Sequence, residues 1–441
     1  MENPSSSFGY RFNQWLKQSL LMKLLSIGFL VVILMIPTIL IRELINERQG
    51  RQSEAIAEVS RSWGPEQTVI GPVLTIPYTE WAEFADGKRT TVKKLAHFLP
   101  LELKVEGQVN HQTRKRGLYD VILYQSDLKL KGQFEQPDFQ ALHISPESVN
   151  WDEAMLSVGI TGMPGIRQEI ACNWNGQSFR MGPGTASAAL LASGVRCAVP
   201  VDPNGKSFSF DIPIGLKGHE GLHFGPVGKT TEVALNSDWP SPSFEGAFLP
   251  EPRTVNADGF KANWKVLDLN RNFPQQWKDE EFKITDSTFG VRLIQPVDNY
   301  LKNTRTAKYA ILVIGLTFLI FFFFETLRRF HIHPFQYLLV GLAITVFYLL
   351  LLSLSEHIGF DYAYWCATAA TIALICVYSA SVFRIRQLVF QLAALLGLIY
   401  TFIYIVLQLE DYALLAGSLG VFTALASVMW YSRKIDWYDL G

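Results

Sequence analysis

The sequence predicts a membrane protein with six transmembrane α-helices, one N-terminal and five C-terminal, and a large β-rich domain inserted between the first and the second. Three observations carry this. Hydrophobic residues make up 49% of 441 positions, but they are concentrated in one early run and in the last third. The middle of the chain instead alternates apolar and polar residues with period two, the pattern of half-buried strands. The basic residues between the late apolar runs fall on alternate links, as they do when short cytoplasmic loops hold the positive charge.

Residues 1–19, which include Arg11 and Lys17, precede an apolar run at 20–41. At about 1.5 Å per residue this run crosses a hydrocarbon core of about 30 Å. Pro37, Thr38 and "ILIREL" stand where a cleavable signal would carry small residues, so the run predicts an uncleaved anchor. The stretch "RELINERQGRQSEAIAEVSRSW" holds good helix formers with sparse apolar positions, and the helix is expected to stop at Gly64-Pro65.

Residues 42–307 form the inserted domain. In "SFSFDIPI" the residues Phe208, Phe210, Ile212 and Ile214 share one face, and "DLKLKG" alternates Leu128 and Leu130 with lysines. "QTVIGPVLTIPY", "LELKVEG", "GLYDVILY" and "TTEVALN" are further strand candidates, separated by Gly, Pro, Asn and Asp turns. Two packed sheets or two subdomains both accommodate this pattern. Cys172 and Cys197 lie in this domain; spacing leaves a disulfide and two buried free thiols equally open.

Five spans follow within 308–431, at 309–327, 335–354, 362–383, 388–407 and 412–431, and then a tail at 432–441. Arg328 and Arg329, Arg384 and Arg386, and Arg433 and Lys434 all fall on the side of Arg11 and Lys17. The alternate links carry Glu356, Asp361, Glu410 and Asp411 and no Lys or Arg. Both termini are therefore expected in the cytoplasm and the inserted domain on the far side, the periplasm of a bacterial inner membrane. Cys366 and Cys376 fall within a span and are expected to be packing residues.

Three motifs compete for a chemical role. "HEGLH", His219 to His223, fits H-E-x-x-H, whose histidines bind zinc from one face of a helix while the Glu activates water. Gly218, Gly221 and Gly225-Pro226 leave no room for such a helix, so His219, Glu220 and His223 are expected in a loop at a hairpin end. "GPVGKT" has His223 where a phosphate loop needs its first Gly, which leaves a turn before a strand. Near the span ends, Glu325, His331, His333, Glu356 and His357 are the ionisable candidates. Arg328 and Arg329 lie three and four residues after Glu325, the spacing of a helical ion pair, and Pro334 suits a helix start just after His333. The net charge of −1 gives no bias toward nucleic acid, and neither a catalytic set nor a cofactor is expected.

The chain resembles the CreD family of cell envelope integrity inner-membrane proteins. The resemblance runs over nearly its whole length, through "IPTILIRELINER", "VIGPVLTIPYTE", "SDWPSPSFEGAFLP", "QPVDNYLKNTRTAKYAIL", "FETL", "HPFQYLLVGLAITVFYLLLLSLSEHIGF" and "IDWYDL". It implies a role in envelope integrity and stress, tolerance of some colicins and β-lactams, and control by a two-component system, with no known catalytic residues to transfer. "HEGLH" and "GPVGKT" lie outside the family pattern. The leading expectation is a non-enzymatic inner-membrane protein whose partners are the lipid bilayer and envelope proteins or polymers met by the periplasmic domain. A membrane carrier or channel using Glu356 and His357, and a periplasmic zinc hydrolase using His219, Glu220 and His223, are the alternatives.

Overall fold

The computed structural model describes residues 20–83, 89–187, 192–279, 281–294, 299–328, 330–383, 385–409 and 412–433. Arg11, Lys17, Arg329, Arg384, Glu410, Asp411, Lys434 and the "IDWYDL" tail, all used in the sequence reading, lie outside them. The chain forms two compact units, one of Met1–Gln52 with Val297–Gly441 and one of Ser53–Pro296.

The first unit is helical. Helix α1 (Leu20–Trp63), which belongs to this unit as far as Gln52, runs unbroken through Pro37, with the Thr38 hydroxyl donating back to the Leu34 carbonyl at 2.8 Å, and stops one residue before Gly64. A short polar helix, α2 (Asn299–Lys308), follows the β domain in sequence. It buries Tyr300, Asn303, Thr306 and Ala307, and Arg42 of α1 caps its end through the Ala307 carbonyl at 2.9 Å. The sequence reading missed this helix because its face is polar. Then come α3 (Ala310–Arg328), α4 (Pro334–Ile358), α5 (Phe360–Phe383), α6 (Arg386–Gln408) and α7 (Ala413–Ser432). Together with α1 these five are the helices, among the described residues, long and apolar enough to cross a membrane.

Close packing in this unit is local and specific. A Cβ placed on Gly341 of α4 would stand 2.1 Å from Leu34 of α1, so the two backbones approach where only glycine fits. Phe347 packs on Tyr364 and Tyr400, and the Tyr364 hydroxyl donates to the Tyr400 carbonyl at 2.7 Å. The last helix, α7, buries none of its residues. Cys366 is exposed on α5 rather than packed inside, a correction to the expectation: it lies on the helix surface, away from the buried Tyr364, Ala367 and Thr368.

The second unit is a β domain with strands β1 (Gln67–Glu83), β2 (Arg89–Phe98), β3 (Glu102–Arg116), β4 (Tyr119–Glu135), β5 (Met155–Ile160), β6 (Ala171–Trp174), β7 (Gln177–Arg180), β8 (Gly182–Pro183), β9 (Gly194–Ala198), β10 (Ser207–His219), β11 (Gly221–Phe224), β12 (Thr230–Ser237), β13 (Pro242–Gly246), β14 (Arg253–Asn256), β15 (Gly259–Leu267), β16 (Gln276–Lys278) and β17 (Phe289–Leu293). The order β13-β17-β11-β1-β5-β9-β8, with β2 beside β1 and β16 beside β2, makes a nine-stranded sheet. The order β14-β15-β12-β3-β4-β10-β6-β7 makes an eight-stranded one. Both contribute to one continuous apolar core, so the domain is two packed sheets rather than two subdomains. Alternation explains the burial: Phe208, Phe210, Ile212 and Ile214 of β10 and Phe260, Ala262, Trp264 and Val266 of β15 all point inward. "GLYDVILY" and "DLKLKG" turn out to be halves of one strand, β4.

Candidate functional site

The "HEGLH" stretch sits where the chain changes sheets. His219 ends β10 in the eight-stranded sheet, Glu220 takes a left-handed φ of 55°, and Gly221 begins β11 in the nine-stranded one. This is neither a zinc helix nor the hairpin end that the sequence suggested. The reason lies in pairing: β10 follows β4 out to His219, whereas β11 inserts between β1, in parallel, and β17, antiparallel. Tyr124 of β4 holds the crossover by donating its hydroxyl to the Gly221 carbonyl at 2.6 Å. Burial pushes that phenol well above its usual range, and the Glu66 charge adds to the effect.

Around the crossover five charged or titratable side chains converge from distant parts of the sequence. Arg292 of β17 reaches Glu245 of β13 through Nε at 3.0 Å, Glu66 through Nη2 at 3.4 Å and Glu220 through Nη1 at 3.6 Å. His223 of β11 lies between two of these carboxylates, with Nε2 3.0 Å from Glu245 and Nδ1 3.4 Å from Glu66. Burial acts to lower the Arg292 pKa, but the hydrogen bond to Glu245 and the charges of Glu66, Glu245 and Glu220 outweigh it and raise it. A Cβ at Gly221 would lie 2.1 Å from the Glu66 carboxylate, so glycine lets Glu66 fold over the crossover.

Glu66, His223 and Glu245 each offer a ligand atom within 4.8 Å of the others, which makes them the residues able to hold a cation here. His219 and Glu220 are outside that trio. His219 stands 3.7 Å from Glu220, and burial lowers its pKa more than the neighbouring carboxylates raise it. Arg292 already bridges the same oxygens of Glu66 and Glu245, so the donor set is that of an ion-pair network with the guanidinium as its cation. Its position supplies its meaning. Glu66 immediately precedes the first strand and Arg292 lies at the end of the last, so the network clasps the two ends of the domain. Beneath it, the buried amide of Gln67 donates to the Gly162 and Lys217 carbonyls and accepts from the Gly162 N–H. Neither Gln67, Glu66, Glu245 nor Arg292 carries a local sequence signal; only the fold brings them together.

The candidates near the span ends are also joined by distant partners. Glu325, buried on α3, was expected to pair with Arg328 and Arg329 along its own helix. Instead its carboxylate accepts from Lys23 of α1 at 2.5 Å, the Ile332 N–H at 2.7 Å and the Tyr337 hydroxyl at 3.0 Å. A buried carboxylate needs several donors, and a helix's own exposed arginine cannot reach inward to supply them. His333 is the N-cap of α4: its Nδ1 accepts from the Phe335 N–H and its own N–H donates to Gln336, while Pro334 opens the helix. His331 is exposed beside it. Glu356 accepts from the Tyr300 hydroxyl at 2.9 Å and lies 4.0 Å from Arg48. His357 is exposed, with Nδ1 3.0 Å from the Ser353 carbonyl of its own helix. Glu325 and Glu356 are thus held in joints that tie α1 to α3, α4 and, at Glu356, α2.

Comparison with known proteins then adds a name to the architecture. A family model described as "Inner membrane protein CreD" matches residues 19–438. The chain is 35% identical over 440 residues to a protein of Escherichia coli (strain K12) called "Inner membrane protein CreD", an alignment covering 96% of this chain and 95% of that relative.

Proposed function

Because the chain belongs to the CreD family of inner membrane proteins, we propose that it is a multi-pass, non-enzymatic membrane protein that supports cell envelope integrity under stress. Both termini lie in the cytoplasm and the β domain in the periplasm. The orientation is supported by the described ends of the spans: Lys23, Arg328, Arg386 and Arg433 lie on one side and Glu356 and Asp361 on the other. On this reading the domain meets envelope proteins or polymers, and a two-component system controls expression of the chain.

One observation carries the non-enzymatic reading. Glu66, His223 and Glu245, the trio that could hold an ion, belong to the clasp, and there Arg292 is bound to all three carboxylates, Glu66, Glu220 and Glu245. A general acid or base needs a carboxylate or imidazole turned toward a substrate, whereas these are turned toward each other. The carrier reading loses its motive for a similar reason, since Glu356 is engaged by Tyr300 and Arg48. The test is crosslinking in intact envelopes followed by capture of the full chain. Recovery of a periplasmic or envelope component, lost when the β domain is deleted, is the expected result. Capture of cytoplasmic components alone would refute it.

A further inference from the structure

We propose that Cys172 and Cys197 form a disulfide that staples the two sheets of the β domain together. The inference rests on the periplasmic placement proposed above, since only an oxidising compartment sustains such a bond. Cys172 is on β6 in the eight-stranded sheet and Cys197 on β9 in the nine-stranded sheet. Both point into the shared core, Cys172 fully buried and Cys197 7% exposed. Their neighbourhood is joined by a second contact: Trp174, two residues on from Cys172 and facing the same way, donates its indole N–H to the Pro200 carbonyl at 2.9 Å. The segments around 172–174 and 197–200 therefore face each other across the sandwich.

The thiols themselves are close enough to govern each other's titration. Their interaction is the chief cause of their opposite titration: Cys172 is pushed far up, with burial adding to the effect, and Cys197 is drawn down against its own burial. Two sulfurs placed this way from inward-facing strands of opposite sheets need little backbone movement to bond. The bond would add a covalent link to the apolar contacts and the side-chain hydrogen bonds, such as that of Trp174, that hold the two sheets together.

The oxidant is the disulfide of a thiol oxidoreductase, and the exchange balances. The Cys197 sulfur, the more accessible of the two, attacks one sulfur of that disulfide and expels the other as a thiolate. The Cys172 sulfur then attacks Cys197 in the mixed disulfide and expels the second thiolate. Both cysteine protons end on the oxidant, which leaves as a dithiol.

The experiment uses the full chain carrying Cys366→Ala and Cys376→Ala, expressed in a bacterial inner membrane. Cells are quenched in acid, denatured and treated with a maleimide of large mass, with and without prior reduction. The expected result is no adduct before reduction and two after it. Two adducts before reduction would overturn the proposal. Non-reduced peptide mapping of the unsubstituted chain gives the same answer without any variant: a linked 172–197 pair supports the proposal and two separately alkylated peptides sink it. Reduction of the purified protein is expected to lower the Tm of the β domain by about 10 °C. A Leu118→Cys variant separates the two readings, because Leu118 is exposed beside the β3–β4 turn. If a membrane-impermeant maleimide labels it from outside while the pair is reduced, the pairing is wrong and the orientation stands. If it is not labelled from outside and the pair is reduced, the orientation has failed and the pairing falls with it.

Discussion

His97 makes the stability of the β domain depend on pH. It is fully buried on β2, its Nδ1 is 2.9 Å from the Thr75 hydroxyl on the neighbouring strand, and its ring lies 5.4 Å from that of Trp277 on β16. Burial draws its pKa down from 6.5 to about 4, despite the opposing backbone hydrogen bond and charge of Asp279. The sign follows directly. Above pH 6.5 the ring is neutral in both folded and unfolded chains, and no stability is lost. As the pH falls from 6.5 toward 4 the unfolded chain takes up the proton first, so stability falls with pH across that window. Between pH 7 and pH 5 the loss comes to about 2 kcal/mol. The assay is urea unfolding of the full detergent-solubilised chain, followed by near-ultraviolet circular dichroism, for the unsubstituted protein and for His97→Gln, whose amide can still meet Thr75. The unsubstituted protein should lose about 2 kcal/mol more than the variant over that pH interval. Equal losses would show that His97 is not held neutral by its surroundings, and the reasoning would fail.

Three further outcomes are expected. Lys23→Met removes the cation from the buried Glu325 and should destabilise the helical unit by about 1–3 kcal/mol, measured by thermal unfolding in detergent; a neutral result would mean that Tyr337 and the Ile332 N–H suffice for the carboxylate. Gly341→Val inserts a branched side chain against Leu34 and Phe318 and should cost about 1–3 kcal/mol in the same assay, with unchanged stability counting against the close approach of α1 and α4. A fluorescent protein fused after residue 441 should fluoresce, while alkaline phosphatase fused there should be inactive; the reverse pattern would invert the proposed orientation.

Much of the fold was legible because bilayer thickness and strand alternation both leave marks in local sequence. The apolar stretch of α4 and the inward face of β10 are read from neighbours two to four positions apart. What remained hidden was set by long-range pairing. The change of sheet at Glu220 depends on β11 finding β1 and β17, and nothing near "HEGLH" encodes those partners. Glu325 invited a local ion pair because i+3 and i+4 arginines are visible in the string, whereas Lys23 is some three hundred positions away. The helix α2 could have been found: Tyr300, Asn303, Thr306 and Ala307 recur at helical spacing, but apolar periodicity alone passes over a face built from Asn and Thr. The surroundings of His223 were hidden for a related reason, since it takes its acidic neighbours from residues 66 and 245 rather than from the motif's own Glu.

The clasp also decides how the β domain would bear a load. The chain enters at β1 and leaves at β17, which run antiparallel with only β11 between them, so the two attachment points lie at the same end of one sheet. Tension drawn through those points would peel three strands apart bond by bond, beginning at the Glu66–Arg292 contact, while the eight-stranded sheet stayed off the line of force. In a single-molecule pulling experiment such geometry yields at low force, and the ion pair at the opening edge would act as its latch.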